Sequence, residues 1–190
     1  MAEKRNILLD MDEVLSGFFE HALEVLNKAT GKNVTVNDYI DGNTQWEMEK
    51  AYGISKDEFW EIIESDLTFW DDLKMLPWAK ELYSFLSAFY EVTIVSTPSP
   101  TDAYAWGAKK EWLKRNLGIE SRDIILCAKK ELLAGNGILI DDNPSNIEKF
   151  EKAGGKGILV PATWNTKGIN NNMFMTAVTK GLKRYKTYSP

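Results

Sequence analysis

The sequence predicts an α/β fold, a doubly wound parallel sheet with a small helical segment inserted after its first strand. Two features carry that expectation. Short apolar runs rich in β-branched residues recur as buried strands do, at residues 7–9, 92–95, 124–126 and 138–140, with a fifth candidate at 157–160. Helical patterns stand between the later runs, and strands alternating with helices close into a parallel sheet covered on both faces.

The interval between the first two runs breaks this rhythm, because residues 16–89 hold far more chain than one crossover helix needs. Within it, Phe18, His21, Ala22, Val25, Leu26 and Ala29 share one helical face, residues 56–67 fit a second helix, and 78–89 fit the crossover into the second strand. Residues 17–74 therefore read as a helical insertion, and 1–16 with 75–190 as the α/β core. An insertion at the carboxyl end of a strand lies where open α/β sheets bind ligands, so it is placed to act as a lid. Further along, residues 104–117 put Trp106, Lys110, Leu113 and Leu117 at helical spacing and stop at Gly118. Residues 144–153 start from "NPSN" and stop at Gly154-Gly155.

Composition narrows the function. A chain of 190 residues suffices for one core with an insertion, and a formal charge of −5 disfavours a nucleic-acid polymer as partner. The basic run from Lys180 to Lys186 reads as a solvated helix face. Seven Trp, seven Tyr and eight Phe imply an aromatic core. One cysteine, Cys127, cannot pair internally, and its apolar setting suggests a buried thiol in a reducing compartment. The start lacks the apolar stretch of a secretion signal and no apolar run is long enough to cross a bilayer, so a cytoplasmic protein without a membrane partner is expected, as monomer or homodimer. No "GxxxxGK[ST]" or "GxGxxG" occurs.

The chemistry lies in the acids. In "ILLDMDEVL" an apolar run ends on Asp10 and Asp12, and in "GILIDDNPSN" another ends on Asp141 and Asp142. An aspartate after a strand often caps a helix, but two such pairs at the carboxyl ends of parallel strands would converge on one edge. Convergent carboxylates repel unless a positive charge sits among them. Oxygen donors with a lone His21 and a lone Cys127 suit a hard ion, Mg2+, and not zinc. The second run ends in "STPSP", placing Ser96 and Thr97 on the same edge to hold phosphate oxygens, and Lys129-Lys130 follows the third run, where a lysine can neutralise a phosphoryl group.

In order, "DMDEVL", Ser96, Lys130 or its neighbour Lys129, and "LIDD" resemble the four motifs of the haloacid dehalogenase superfamily of phosphotransferases. "DMDEVLSGF", "FWDDLKMLPWAKE", "STPSP" and "LIDDNP" resemble the 5'(3')-deoxyribonucleotidases within it. The chain departs from that group at Glu13, where glycine is usual, and at Pro77-Trp78, where Pro-Gly is usual. Glu13 also adds a negative charge beside a phosphate site.

The resemblance implies a Mg2+-dependent phosphatase acting on a small phosphomonoester, a nucleoside monophosphate and preferably a deoxy-pyrimidine one. It makes Asp10 the nucleophile and Asp12 the acid and then the base. The ion would be held by the Asp10 side chain, the Asp12 carbonyl and Asp142 or Asp141. Ser96, with Thr97 assisting, and Lys130 would bind the phosphoryl group, and Phe18, Trp46 and Trp60 would face the base. The same core with another cap lining would serve a different phosphomonoester. A non-catalytic nucleotide- or phosphate-binding module is the other class weighed, opposed by the presence of both the nucleophile and the acid.

Overall fold

The computed structural model describes residues 6–41 and 47–185. Five strands form its centre: β1 (Asn6–Leu9), β2 (Glu91–Ser96), β3 (Ile124–Leu126), β4 (Ile138–Asp141) and β5 (Lys156–Leu159). They lie in the order β3-β2-β1-β4-β5 with every pairing parallel, so the expected doubly wound sheet is present, the fifth candidate strand included. The strand period of two sorts the side chains. Ile7, Leu9, Ile94, Ile138, Ile140 and Ile158 join the larger core, while Leu8, Val95 and Leu139 join a smaller one on the opposite face.

The core helices are α5 (Ala79–Phe89), α6 (Tyr104–Leu117), α7 (Pro144–Lys152) and α8 (Asn171–Arg184). α7 closes the smaller core with Ile147 and Phe150, and the other three contribute to the larger one. Gly181 lets α8 lie close on β5, because a Cβ there would come within 2.6 Å of Ile158.

Between β1 and α5 the described residues form four helices, α1 (Phe18–Thr30), α2 (Val36–Asp41), α3 (Met48–Tyr52) and α4 (Lys56–Ser65). The first and last match the expected helices. α4 stops before Leu67, which is exposed, and α2 and α3 are too short to show a periodicity. The segment leaves and re-enters the core at one place: Gly17 N–H donates to Lys74 O at 2.8 Å and Leu76 N–H to Leu15 O at 2.9 Å. Trp78, at the Pro77-Trp78 departure, fills space between the β1 loop and α8. It is buried, donates its indole N–H to Val14 O at 3.0 Å and stacks on Phe174 at 4.6 Å.

Two expectations are corrected. The buried face of α6 is Ala105, Ala108, Lys109, Trp112 and Leu113, whereas Trp106 and Lys110 face outward. Lys109 disguised that face, since a lysine normally marks solvent. Cys127 is half-buried at the edge of the smaller core and not fully enclosed. Among the described residues no helix is long and apolar enough to cross a membrane.

Candidate active site

The carboxyl ends of β1, β2 and β4 meet at the point where the winding of the sheet reverses, and the strand-ending acids meet with them. Asp10 continues the β1 ladder by donating its N–H to Ile140 O at 3.0 Å. Asp10, Asp141 and Asp142 are all buried, and each offers a carboxylate oxygen within 4.8 Å of the others. Lys130 enters this cluster from a 3-10 turn over Lys130–Leu133, its Nζ 2.7 Å from both Asp10 Oδ1 and Asp141 Oδ2. Lys129 is exposed to solvent, so of the two lysines it is Lys130 that reaches the acids.

The two neighbouring aspartates of β4 differ in what surrounds them. Asp141 accepts from Lys130, from Asn143 N–H at 2.8 Å and from the Asn146 amide at 3.0 Å, so its oxygens are taken up by protein donors. Asp142 accepts at Oδ2 from the Trp164 indole at 2.5 Å. Its other oxygen meets no protein donor among the described residues, which leaves it open to an ion. Neither caps α7; Asn143 does, accepting from Ser145 N–H at 2.9 Å.

A second lysine, which the sequence reading passed over, completes the floor. Lys109 from α6 is buried and donates to Asp12 Oδ2 at 2.5 Å, Ser96 Oγ at 3.0 Å and Thr97 O at 2.9 Å, with its Nζ 4.8 Å from the centre of the Trp70 ring. Asp12 also accepts from the Ser16 hydroxyl at 3.2 Å and stays partly open to the pocket. Ser96 is fully buried, and Thr97 is exposed at the rim.

Burial dominates the electrostatics. It lifts Asp10 from the usual carboxylate range to about 7, with Lys130 opposing and Asp141 and Asp12 adding to the rise. Asp142 is pushed well up by burial and then by Asp141 and Asp10. Glu13 is likewise raised to about 7 by burial, against hydrogen bonds from Thr163 and Phe19. Carboxyls with folded pKa above unfolded hold more protons in the native state, so stability is highest below the unfolded pKa and declines as pH rises toward the folded one. With divalent ions chelated, the urea midpoint should therefore fall between about pH 4 and about pH 7, and a divalent cation should reduce the fall.

Above the acids lies a cavity of about 840 Å³ between the core and the inserted helices. Phe18, Trp60 and Trp70 form its aromatic wall, Phe18 packing at 5.6 Å from Trp70 and 6.4 Å from Trp60. Thr97, Ser99 and Trp106 stand on the core side. Trp46, the third aromatic singled out in the sequence, lies outside the described residues. The wall is tied to the loop after β2, because Glu64 of α4 accepts from the Ser99 hydroxyl at 3.1 Å and from the Thr101 hydroxyl. Trp70, Lys109, Asn146 and Trp164 are the residues of this site that sequence reading missed. Only Lys109 left a trace, at i+4 from Ala105 and i−3 from Trp112.

A parallel sheet with acids on two central strand ends, a lysine between them and a helical insertion overhead defines a haloacid dehalogenase-type hydrolase. The chain belongs to the family described as 5' nucleotidase, deoxy (pyrimidine), cytosolic type C protein, whose model matches residues 4–172, and thereby to the haloacid dehalogenase superfamily of phosphatases. Its fold is shared with a haloacid dehalogenase-like hydrolase from Streptococcus pneumoniae, at 15% identity, full coverage of both chains and a TM-score of 0.61. It is shared too with CbbY from Rhodobacter sphaeroides, described in complex with phosphate, at 16% identity, with 87% of this chain and 90% of that one covered and a TM-score of 0.57. No curated protein matches in sequence. Phosphatases of this superfamily use Mg2+, and the donor set fits it, being three buried carboxylates that supply only oxygen.

Proposed function

We propose that the protein is a Mg2+-dependent phosphomonoesterase that hydrolyses nucleoside monophosphates, preferably deoxy-pyrimidine ones, to nucleoside and phosphate through an aspartyl-phosphate on Asp10. The observation that carries this reading is the buried cluster of Asp10, Asp141 and Asp142 with Lys130 directly beneath an aromatic cavity. Residues 17–74 act as the cap over a core of 1–16 and 75–190.

Asp10 attacks phosphorus and the ester bond to the nucleoside oxygen breaks, transferring the phosphoryl group to the carboxylate. Asp12 gives its proton to the departing oxygen and later takes one from the water that hydrolyses the acyl phosphate. One residue between the two acids suits this division, since both can turn toward the pocket as the chain leaves the sheet. Mg2+, held by Asp10, the Asp12 carbonyl and Asp142, would supply charge neutralisation between carboxylate and phosphate. Ser96 and Thr97 donate to the phosphoryl oxygens and Lys130 stabilises their growing charge. Lys109 holds Asp12 and Ser96 in one arrangement. Glu13 does not oppose the phosphate as its position suggests, because its carboxylate turns to Phe19 and Thr163. Phe18 and Trp60 offer ring faces to the base, a contact that tolerates several bases.

Phosphate release from a panel of 5'- and 3'-monophosphates, ribo and deoxy, and of small sugar phosphates, with Mg2+ or with EDTA, tests the proposal. Turnover that requires Mg2+ and is highest on deoxynucleotides is the expected result. Turnover confined to non-nucleotide esters would overturn the substrate class, and none on any ester would overturn the enzyme reading.

A further inference from the structure

Glu13 occupies a backbone position made for glycine. Its φ is +61°, the only left-handed residue other than glycine among those described, and its side chain is completely buried. A bulky acid kept in such a conformation needs compensation from its surroundings.

The contacts of the carboxylate supply it. One oxygen accepts from Phe19 N–H at 2.7 Å, and the other accepts from the Thr163 hydroxyl. Phe19 lies in the first turn of α1, whose N-cap, Gly17, has no side chain to satisfy the free N–H groups there. The Glu13 carboxylate takes that place from six residues upstream, and the partial positive charge of the helix start favours it. Thr163 belongs to the loop after β5, and its neighbour Trp164 holds Asp142. Glu13 thus bridges the first turn of the cap to the core loop that orients an acid of the site. Phe18, the residue before Phe19, forms part of the cavity wall.

We propose that Glu13 is a positioning residue that fixes α1, and with it Phe18, on the core and thereby sets how tightly the cap grips the organic part of the substrate. This deepens the functional reading above and rests on it for the identity of that organic part.

The test compares Glu13→Gly with Glu13→Gln. Glycine relieves the positive φ and deletes the tie, so the variant keeps its backbone path. Glutamine keeps an oxygen for Phe19 N–H and offers an amide to Thr163. In Glu13→Gly, KM for a nucleoside monophosphate should rise by about tenfold, kcat/KM for phenyl phosphate should fall by a clearly smaller factor, and the Phe19 amide should exchange faster with deuterium. Glu13→Gln should restore all three toward the parent values. Unchanged KM and Phe19 exchange in Glu13→Gly would overturn the proposal, as would equal losses on the large and small esters. If the parent enzyme turns over no nucleotide, the functional reading fails separately, and loss of Phe19 protection in the Gly variant with retention in the Gln variant still decides whether Glu13 anchors the cap.

Discussion

Asp10→Asn should lower kcat by roughly 10⁴-fold or more while leaving the protein folded, and with metal chelated at about pH 8 it should make the protein harder to unfold. The first part follows from the proposed chemistry, since an amide cannot form the acyl phosphate. The second follows from burial. The Asp10 carboxyl is raised to about 7, chiefly by desolvation, so above that pH the folded chain must hold a charge that its surroundings disfavour. Asparagine removes this charge and keeps an oxygen for Met11 N–H and Lys130. At about pH 5 the carboxyl is already protonated and the gain should vanish. Urea melts of parent and variant at the two pH values, with EDTA, beside phosphate-release rates with Mg2+, check both parts. A variant that lost activity together with stability at both pH values would have lost its fold, and the assignment of Asp10 as nucleophile would lose its support.

The same physics explains what the sequence made legible. Strands buried on both faces must be apolar throughout, so Ile7, Leu9, Ile138 and Ile140 announced the sheet. An aspartate ending such a run stands out because nothing apolar explains it. The acids, Ser96 and the Lys129-Lys130 pair were therefore visible before any fold was known, and Phe18 and Trp60 line the cavity beside Asp10 and Asp142. Lys109 was hidden because its burial is repaid by partners distant in sequence, Asp12 being 97 residues away. Trp164 was hidden likewise, reaching Asp142 across 22 residues. Asn146 is only five residues from Asp141, but its side chain is brought back onto that acid by the turn from β4 into α7, which no periodicity signals. Helices α2 and α3 carry too few turns to show a period, and their existence depends on the packing of the cap. Glu13 was visible as a departure from glycine. Its outcome was not, since the direction in which a buried carboxylate turns depends on the donors that reach it.

Lys130→Met should destabilise the chelated protein by about 3–5 kcal/mol near neutral pH, the range for a buried charge pair broken on one side. Burial alone disfavours the Lys130 charge, but Asp10 and Asp141 more than offset it and hold the ammonium protonated, so lysine and acids stabilise one another. Among the described residues Lys130 is the only ion-pair partner of either acid, and methionine fills its volume while leaving three buried carboxylates facing each other. Two conditions should return part of the loss. Lowering the pH protonates the acids, and Mg2+ restores a positive charge among them, so the ion should raise the urea midpoint of the variant more than that of the parent. Activity should not return with stability, because the phosphoryl oxygens would still lack the ammonium proposed to stabilise their growing charge. If Mg2+ stabilised parent and variant equally, the cation would be binding elsewhere than among Asp10, Asp141 and Asp142, and the arrangement of the site proposed around them would have to be abandoned.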